Sequence, residues 1–283
     1  MKRLLPWAAA ALLPWRAAYA LFRACAARRV NDPNARAACA RARAHGLDVA
    51  DEAGFCRRVA LQPLIDQADV ALAWVRQRHW YRHWVRVEGD SFPKRGPFLA
   101  ITFHVGVGIA SAPYALGAHE RGVSLIYAPW EAAPGDFIGR TRTRALLSIL
   151  GRRMGAPPVP TGGAFARARA WLAEGGGIMG LVDAPHYGHR YTSAVPFFGR
   201  TIGLSNGLAA LAAETGAPVY VFTSTLDGDS PRRLLRIHGP LRAREPEALM
   251  REIGLWFEDA VRADPAAWHY WGAVDTAFPP PEA

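Results

Sequence analysis

The sequence predicts an α/β fold: a mostly parallel central sheet flanked by helices, preceded by an N-terminal helical membrane-seated segment. Three observations predict it. From Phe98 onward, short apolar runs alternate with stretches of helical character, the pattern of strands joined through helices. With 283 residues, 51% hydrophobic and 20% charged, the chain can bury one large core with an N-terminal appendage. The first thirty residues are apolar and arginine-rich. The expected organisation is residues 1–30 as the membrane-associated helix, 31–86 as a helical layer, and 87–283 as the α/β domain.

The opening MKRLLPWAAAALLPWRAAYALFRACAARR has Lys2 and Arg3, an apolar run from Leu4 to Trp15, and then Arg16. That run is shorter than the ~20 apolar residues that span a bilayer. A secretory signal with Ala18-Tyr19-Ala20 as its cleavage site is an alternative, but Arg16 interrupts the approach to it. Trp7, Trp15, Tyr19 and Phe22, set among Arg16, Arg23, Arg28 and Arg29, suit a helix lying at a membrane interface. A plain packed helix is the third reading. Residues 34–82 are helical in character, and Val87 to Gly96 (VEGDSFPKRG) reads as the junction to the main domain.

FLAITF (98–103) and VSLIYA (123–128) read as buried strands, FIGRTRTRALLSILGRRMG as a helix ending at Gly155, and GGAFARARAWLAEGGG as a helix between glycines. IMGLVD (178–183) is another strand. SNGLAALAAETG is a helix with Ser205 or Asn206 as its cap and Gly216 as its stop. PVYVFTST and RRLLRIHG read as adjacent strands, and EPEALMREIGLWFEDAVRADP as an amphipathic closing helix. Ligand sites in such folds lie at the carboxyl ends of the strands, where His104 and Asp183 both fall.

The formal net charge is +10, nearly all from arginine, since Lys2 and Lys94 are the only lysines. Such a surface suits anionic lipid or phosphorylated substrates. The arginines are scattered, and no zinc-finger, RNA-recognition or basic-zipper pattern is present, which argues against nucleic acid. Cys25, Cys39 and Cys56 have neither the number nor the spacing of a disulfide framework or a zinc site. They read as reduced thiols.

Three constellations carry possible chemistry. His104 ends a strand and is followed by Val105-Gly106-Val107-Gly108. It reads either as a general base or as a histidine satisfied by backbone groups, with the Gly106 and Gly108 backbone available to an oxyanion. The segment Asp183 to Arg200, DAPHYGHRYTSAVPFFGR, reads as one functional loop. Within it, Asp183 either orients His104 or caps the next element, and His186 and His189 lack a third metal ligand. Third, GLSNG (Gly203–Gly207) matches a nucleophile elbow around Ser205, with Asp227 or Asp229 and then His238 or His269 following. A helix-capping serine is the commoner explanation.

The order of these segments, from about Leu4 to Trp271, resembles the late acyltransferases of lipid A biosynthesis, a branch of the lysophospholipid acyltransferase superfamily. The resemblance rests on LLPWRAAYALFR, on VRVEGD and GPFLAITFH, and on GRRMGAPPVPTGGAFARARAWLAEGGGIMGLVDAPHYG. VPFFGRT, LAAETGAPVYVFT and DPAAWHYW extend it. It implies a glycerolipid acyltransferase-like fold and transfer of a fatty acyl group from an acyl carrier protein or coenzyme A thioester to a lipid or glycolipid acceptor. The implied place is the cytoplasmic face of a bacterial inner membrane, with no metal or other cofactor. In the family's H-x-x-x-x-D/E motif the acid orients a catalytic histidine. His104 falls on the histidine, but Ile109 occupies the acid position. The closing block also departs, reading Trp271-Gly272-Ala273-Val274 where the family has a basic cluster. Either Asp183 supplies the carboxylate, or the chain is a catalytically impaired lipid- or carrier-binding relative. A serine hydrolase using Ser205 stands third. Arg152, Arg153, Arg190 and Arg200 lie in blocks that resemble the family's acceptor and donor regions and read either as phosphate contacts or as solvated surface arginines, with Phe197 and Phe198 as further candidate substrate contacts.

Overall fold

The computed structural model describes residues 5–76, 78–107, 111–128, 137–184, 192–242 and 245–279. Four helices open the chain: α1 (Leu5–Leu12), α2 (Trp15–Ala27), α3 (Pro33–Ala44) and α4 (Glu52–Val75). Local chemistry sets the starts of α3 and α4. Asp32 accepts from the backbone N–H of Asn34 at 2.9 Å, with Pro33 in the first turn of α3. Asp51 accepts from Gly54 at 2.7 Å at the start of α4. The short α5 (Arg78–Trp84) then leads into β1 (Val85–Gly89).

The alternating part follows: β2 (Phe98–Thr102), α6 (Ser111–Leu116), β3 (Val123–Tyr127), α7 (Phe137–Met154), β4 (Val159–Pro160), α8 (Ala164–Ala173) and β5 (Gly177–Leu181). A hairpin of β6 (Thr192–Phe197) and β7 (Arg200–Ser205) comes next, then α9 (Gly207–Thr215), β8 (Val219–Leu226), β9 (Arg233–Leu241), α10 (Pro246–Ala263) and α11 (Val274–Ala277). Among the described residues seven strands form one sheet in the order β1-β9-β8-β2-β5-β3-β4. Every neighbouring pair is parallel except β8 with β9. The fold is thus α/β with a mostly parallel sheet flanked by helices.

β2 lies inside the sheet and is buried on both faces, which is why it reads as an unbroken apolar run. Leu99 and Ile101 point into a core shared with α3, α8, α9 and α10. Phe98 and Ala100 point into the opposite core, with α1, α2, α6, α7 and most of α4. The N-terminal helices therefore share a core with the sheet.

Three expectations change here. The aromatic side of α2 does not face outward: Trp15, Tyr19 and Phe22 are buried. The Trp15 indole N–H donates to the Pro231 carbonyl at 2.8 Å, and the Tyr19 hydroxyl donates to the Asp229 carbonyl at 3.3 Å. Packing on the sheet satisfies both the apolar rings and their polar tips. Among the described residues, no helix is long and apolar enough to cross a membrane. Second, the junction from Val87 overlaps β1, which begins at Val85 and pairs in parallel with β9. Third, the segment read as one loop from Asp183 to Arg200 contains β6, paired antiparallel with β7.

A buried ion pair ties the helical layer to the sheet. Asp69 of α4 pairs with Arg233 of β9, both side chains without solvent exposure. The Arg233 guanidinium lies 4.5 Å from the Trp15 ring centroid and 5.6 Å from that of Trp80.

Candidate active site

The register of the sheet brings His104 and Asp183 together. β2 and β5 are parallel neighbours with Thr102 opposite Leu181. Two residues beyond each partner, the chain reaches His104 on one side and Asp183 on the other. His104 Nδ1 lies 2.9 Å from Asp183 Oδ1. The His104 backbone N–H also donates to the carboxylate, at 2.9 Å to Oδ1 and 2.8 Å to Oδ2. The Trp268 indole N–H donates to Oδ2 at 3.1 Å. Asp183 is fully buried, while 31% of the His104 side chain is exposed. Each of these contacts is an N–H donor, the set a buried carboxylate accepts. A carboxylate on Nδ1 places the proton there and leaves the Nε2 lone pair free to take another.

The chain beyond His104 is held by a second segment, Ala267 to Tyr270, which the sequence reading did not assign to the site. The Gly106 N–H donates to the Ala267 carbonyl at 2.7 Å, and the His269 N–H donates to the His104 carbonyl at 3.0 Å. The His269 ring donates from Nε2 to the Gly106 carbonyl at 2.7 Å. The ring keeps 29% of its side-chain surface in solvent, and the desolvation of the rest holds it below its ordinary pKa, helped by the proximity of His104; the Gly106 bond and Asp183 pull the other way. The Tyr270 ring meets the His104 ring edge-on, 4.9 Å between centroids. In the sequence the segment shows as the aromatic run Trp268-His269-Tyr270-Trp271 of the block DPAAWHYW, with His269 expected only as a partner of Ser205.

Gly106 has a different task from the one expected. Its φ is +80°, and a Cβ there would stand 2.2 Å from the Ser224 carbonyl oxygen, so the turn requires glycine. Its N–H is used by Ala267, and the Val107 N–H donates to Ser224 at 2.7 Å. The expected oxyanion contact at Gly106 is therefore corrected: the amide is already spent on the segment that holds the turn. Gly108, Ile109, His186, His189 and Arg190 lie outside the described residues.

Most of the remaining expected substrate contacts are placed elsewhere. Phe197 is fully buried and stacks on Phe257 with centroids 5.1 Å apart, a core residue. Phe198 packs on Phe197 and carries the Arg262 guanidinium 4.7 Å from its ring centroid. Arg200 donates to the Ala44 carbonyl at 3.0 Å. Arg153 donates to the carbonyls of Ala73 and Arg76, each at 2.8 Å, and so clamps α7 to the end of α4. Arg152 sits over the Trp74 ring at 5.3 Å. None of these five contacts the His104–Asp183 pair through any of these interactions.

Ser205 closes β7 in the two-stranded ribbon and donates its N–H to Val182 at 3.0 Å. A nucleophile elbow needs a turn leaving a strand of the central sheet, and this strand is not one. The Asn206 side chain sits at the start of α9 without a capping hydrogen bond, whereas Gly216 ends that helix at φ +66° as expected.

Among the described residues no group of three or more His, Cys, Asp and Glu side chains is arranged to hold a metal. A cavity of about 390 Å³ lies beside the turn, touching Gly106 and Ala267 and mixing Arg23 and Arg58 with Asp229 and Asp264. Burial pushes the Asp264 carboxyl up. No protein-family model matches the chain, and no curated protein matches it in sequence.

Proposed function

We propose that the protein is a membrane-associated acyltransferase with a glycerolipid acyltransferase-like fold, in which His104 is the general base and Asp183 its orienting acid. The observation that carries this reading is the 2.9 Å contact between His104 Nδ1 and Asp183 Oδ1 at the carboxyl ends of adjacent parallel strands. The donor is a thioester of acyl carrier protein or coenzyme A, and the acceptor a hydroxyl or amine of a lipid or glycolipid. His104 Nε2 takes the acceptor proton as its oxygen or nitrogen attacks the thioester carbonyl. The tetrahedral intermediate collapses, the carbon–sulfur bond breaks, and the departing thiolate recovers the proton from the imidazolium. The products are an ester or amide and a free thiol. Asp183 holds the ring in the tautomer that exposes Nε2 and stabilises the imidazolium formed between the steps. The same carboxylate favours turnover over a relative that only binds lipid or carrier, because it restores the acid that Ile109 fails to provide.

The test is thiol release and acyl-product formation by purified protein given long-chain acyl carrier protein and acyl-coenzyme A with a panel of lipid acceptors. Acceptor-dependent transfer that disappears in His104→Ala is the expected result. Thioester or lipid binding with no turnover by the unmutated protein would replace this reading with the binding-only one.

A further inference from the structure

Among the described residues eight large apolar side chains are conspicuously exposed, and five of them gather at one place. Leu12 is 81% exposed, Trp74 56% and Val75 50%, accompanied by Leu5 and Leu13. Leu5 and Leu12 are seven residues apart on α1, two turns, and so share a face. Arg76 joins the ends of the two helices by donating to the Ala10 and Leu13 carbonyls, each at 3.3 Å. The turn after α1 and the last turn of α4 thus form one apolar rim.

Arginines border this rim. Arg16 follows Leu13 by three residues, and Arg76 lies between the two helix ends. Arg152 of α7 lies 5.3 Å over Trp74, on a helix with no acidic residue. Exposed leucines and a tryptophan bordered by arginines fit the boundary between acyl chains and headgroups, and the arginines fit anionic headgroups.

We propose that Leu12, Leu13, Trp74 and Val75 form the face by which the protein docks on an anionic phospholipid surface, with Arg152 contacting the headgroups. The aromatic side of α2 takes no part, being packed inside. This deepens the membrane association in the proposed function but does not depend on acyl transfer, since docking requires neither the donor nor His104.

The experiment is co-sedimentation of the full chain with vesicles of phosphatidylcholine alone or mixed with phosphatidylglycerol. Binding to the mixed vesicles, weakened at about 0.5 M salt, is expected. Joint substitution Leu12→Ser, Leu13→Ser and Trp74→Ser should weaken it roughly tenfold or more. A control pair, Phe165→Ser with Leu255→Ser, removes exposed apolar side chains elsewhere and should leave binding unchanged. Arg152→Glu, which disturbs no core residue, should weaken binding to the mixed vesicles only. Equal binding by the triple variant, equal loss in the control pair, or no binding by the unmutated chain would overturn the proposal. So would sedimentation showing that the triple variant splits a homodimer, which would assign the face to a second copy.

Discussion

His104 and Asp183, 79 residues apart in sequence, meet with Nδ1 and Oδ1 at 2.9 Å because β2 and β5 run parallel in register. The carboxylate also accepts the His104 backbone N–H, so it fixes the ring and the turn that carries it. Asp183→Asn keeps the shape but turns an N–H₂ group toward one of these donors and removes the charge that selects the tautomer. Its acyl-transfer rate should fall by about 10⁴-fold, with the folded state retained by circular dichroism.

Trp268 acts on the same carboxylate from the other side, through its 3.1 Å indole bond to Oδ2. Trp268→Phe keeps most of the ring in the core but removes this donor. A hydrogen bond to a charged group contributes ~1.5–3 kcal/mol. The expected outcome is a drop in kcat of about tenfold or more with little change in KM, measured with acyl carrier protein as donor. A change confined to KM would assign Trp268 to substrate binding instead.

How much of this was readable from residues alone follows from what each element depends on. β2 and β3 were legible because strands buried in a sheet need continuous apolar runs, and Phe98–Thr102 and Val123–Tyr127 supply them. The stop of α9 was legible because Gly216 is a local signal. The β6–β7 hairpin was hidden by Pro196 within its first strand and by Gly199 and Gly203, residues that weaken a strand reading. Its alternate burial of Ser193, Val195 and Phe197 was nonetheless present in the pattern. His104 and Asp183 were legible as strand ends, but their contact depended on strand order, which no local signal encodes. The placement of Ala267 to Tyr270 beside His104 was illegible for the same reason: its contacts at Val105 and Gly106 span more than 160 residues. Among the described residues Arg153, Arg200, Phe197 and Phe198, all expected as substrate contacts, went to packing and clamping, roles that composition does not separate from binding.

His269 gives the stability a pH dependence of determinate sign. Desolvation holds its folded pKa below the ordinary 6.5, so the unfolded chain takes up the proton first as pH falls. Its contribution is fully present above about pH 6.5 and is lost progressively below that value, until the folded ring also titrates. His269→Gln keeps an N–H donor for the Gly106 carbonyl but cannot titrate. Thermal melts between about pH 7 and pH 5.5 should therefore show a shallower decline in this variant. His45, also held below its ordinary value by burial and by Arg200 and Arg41, leaves part of the slope in place.

The Asp69–Arg233 pair should behave as a buried ion pair that stabilises only while both partners are present. Arg233→Met leaves a buried carboxylate without its cation and should cost about 3–5 kcal/mol in urea unfolding. The double variant Asp69→Leu with Arg233→Met should be less destabilised than the sum of the single variants. Additive losses would show that the two side chains act independently.

The central claim is that His104, not Ser205, performs the chemistry, and one side-by-side measurement tests it most directly. Acceptor-dependent acyl transfer from a thioester donor is followed in the unmutated protein, in His104→Ala and in Ser205→Ala. The account predicts loss of transfer in the first variant and near-unchanged rates in the second. Retained transfer in His104→Ala with loss in Ser205→Ala would contradict it.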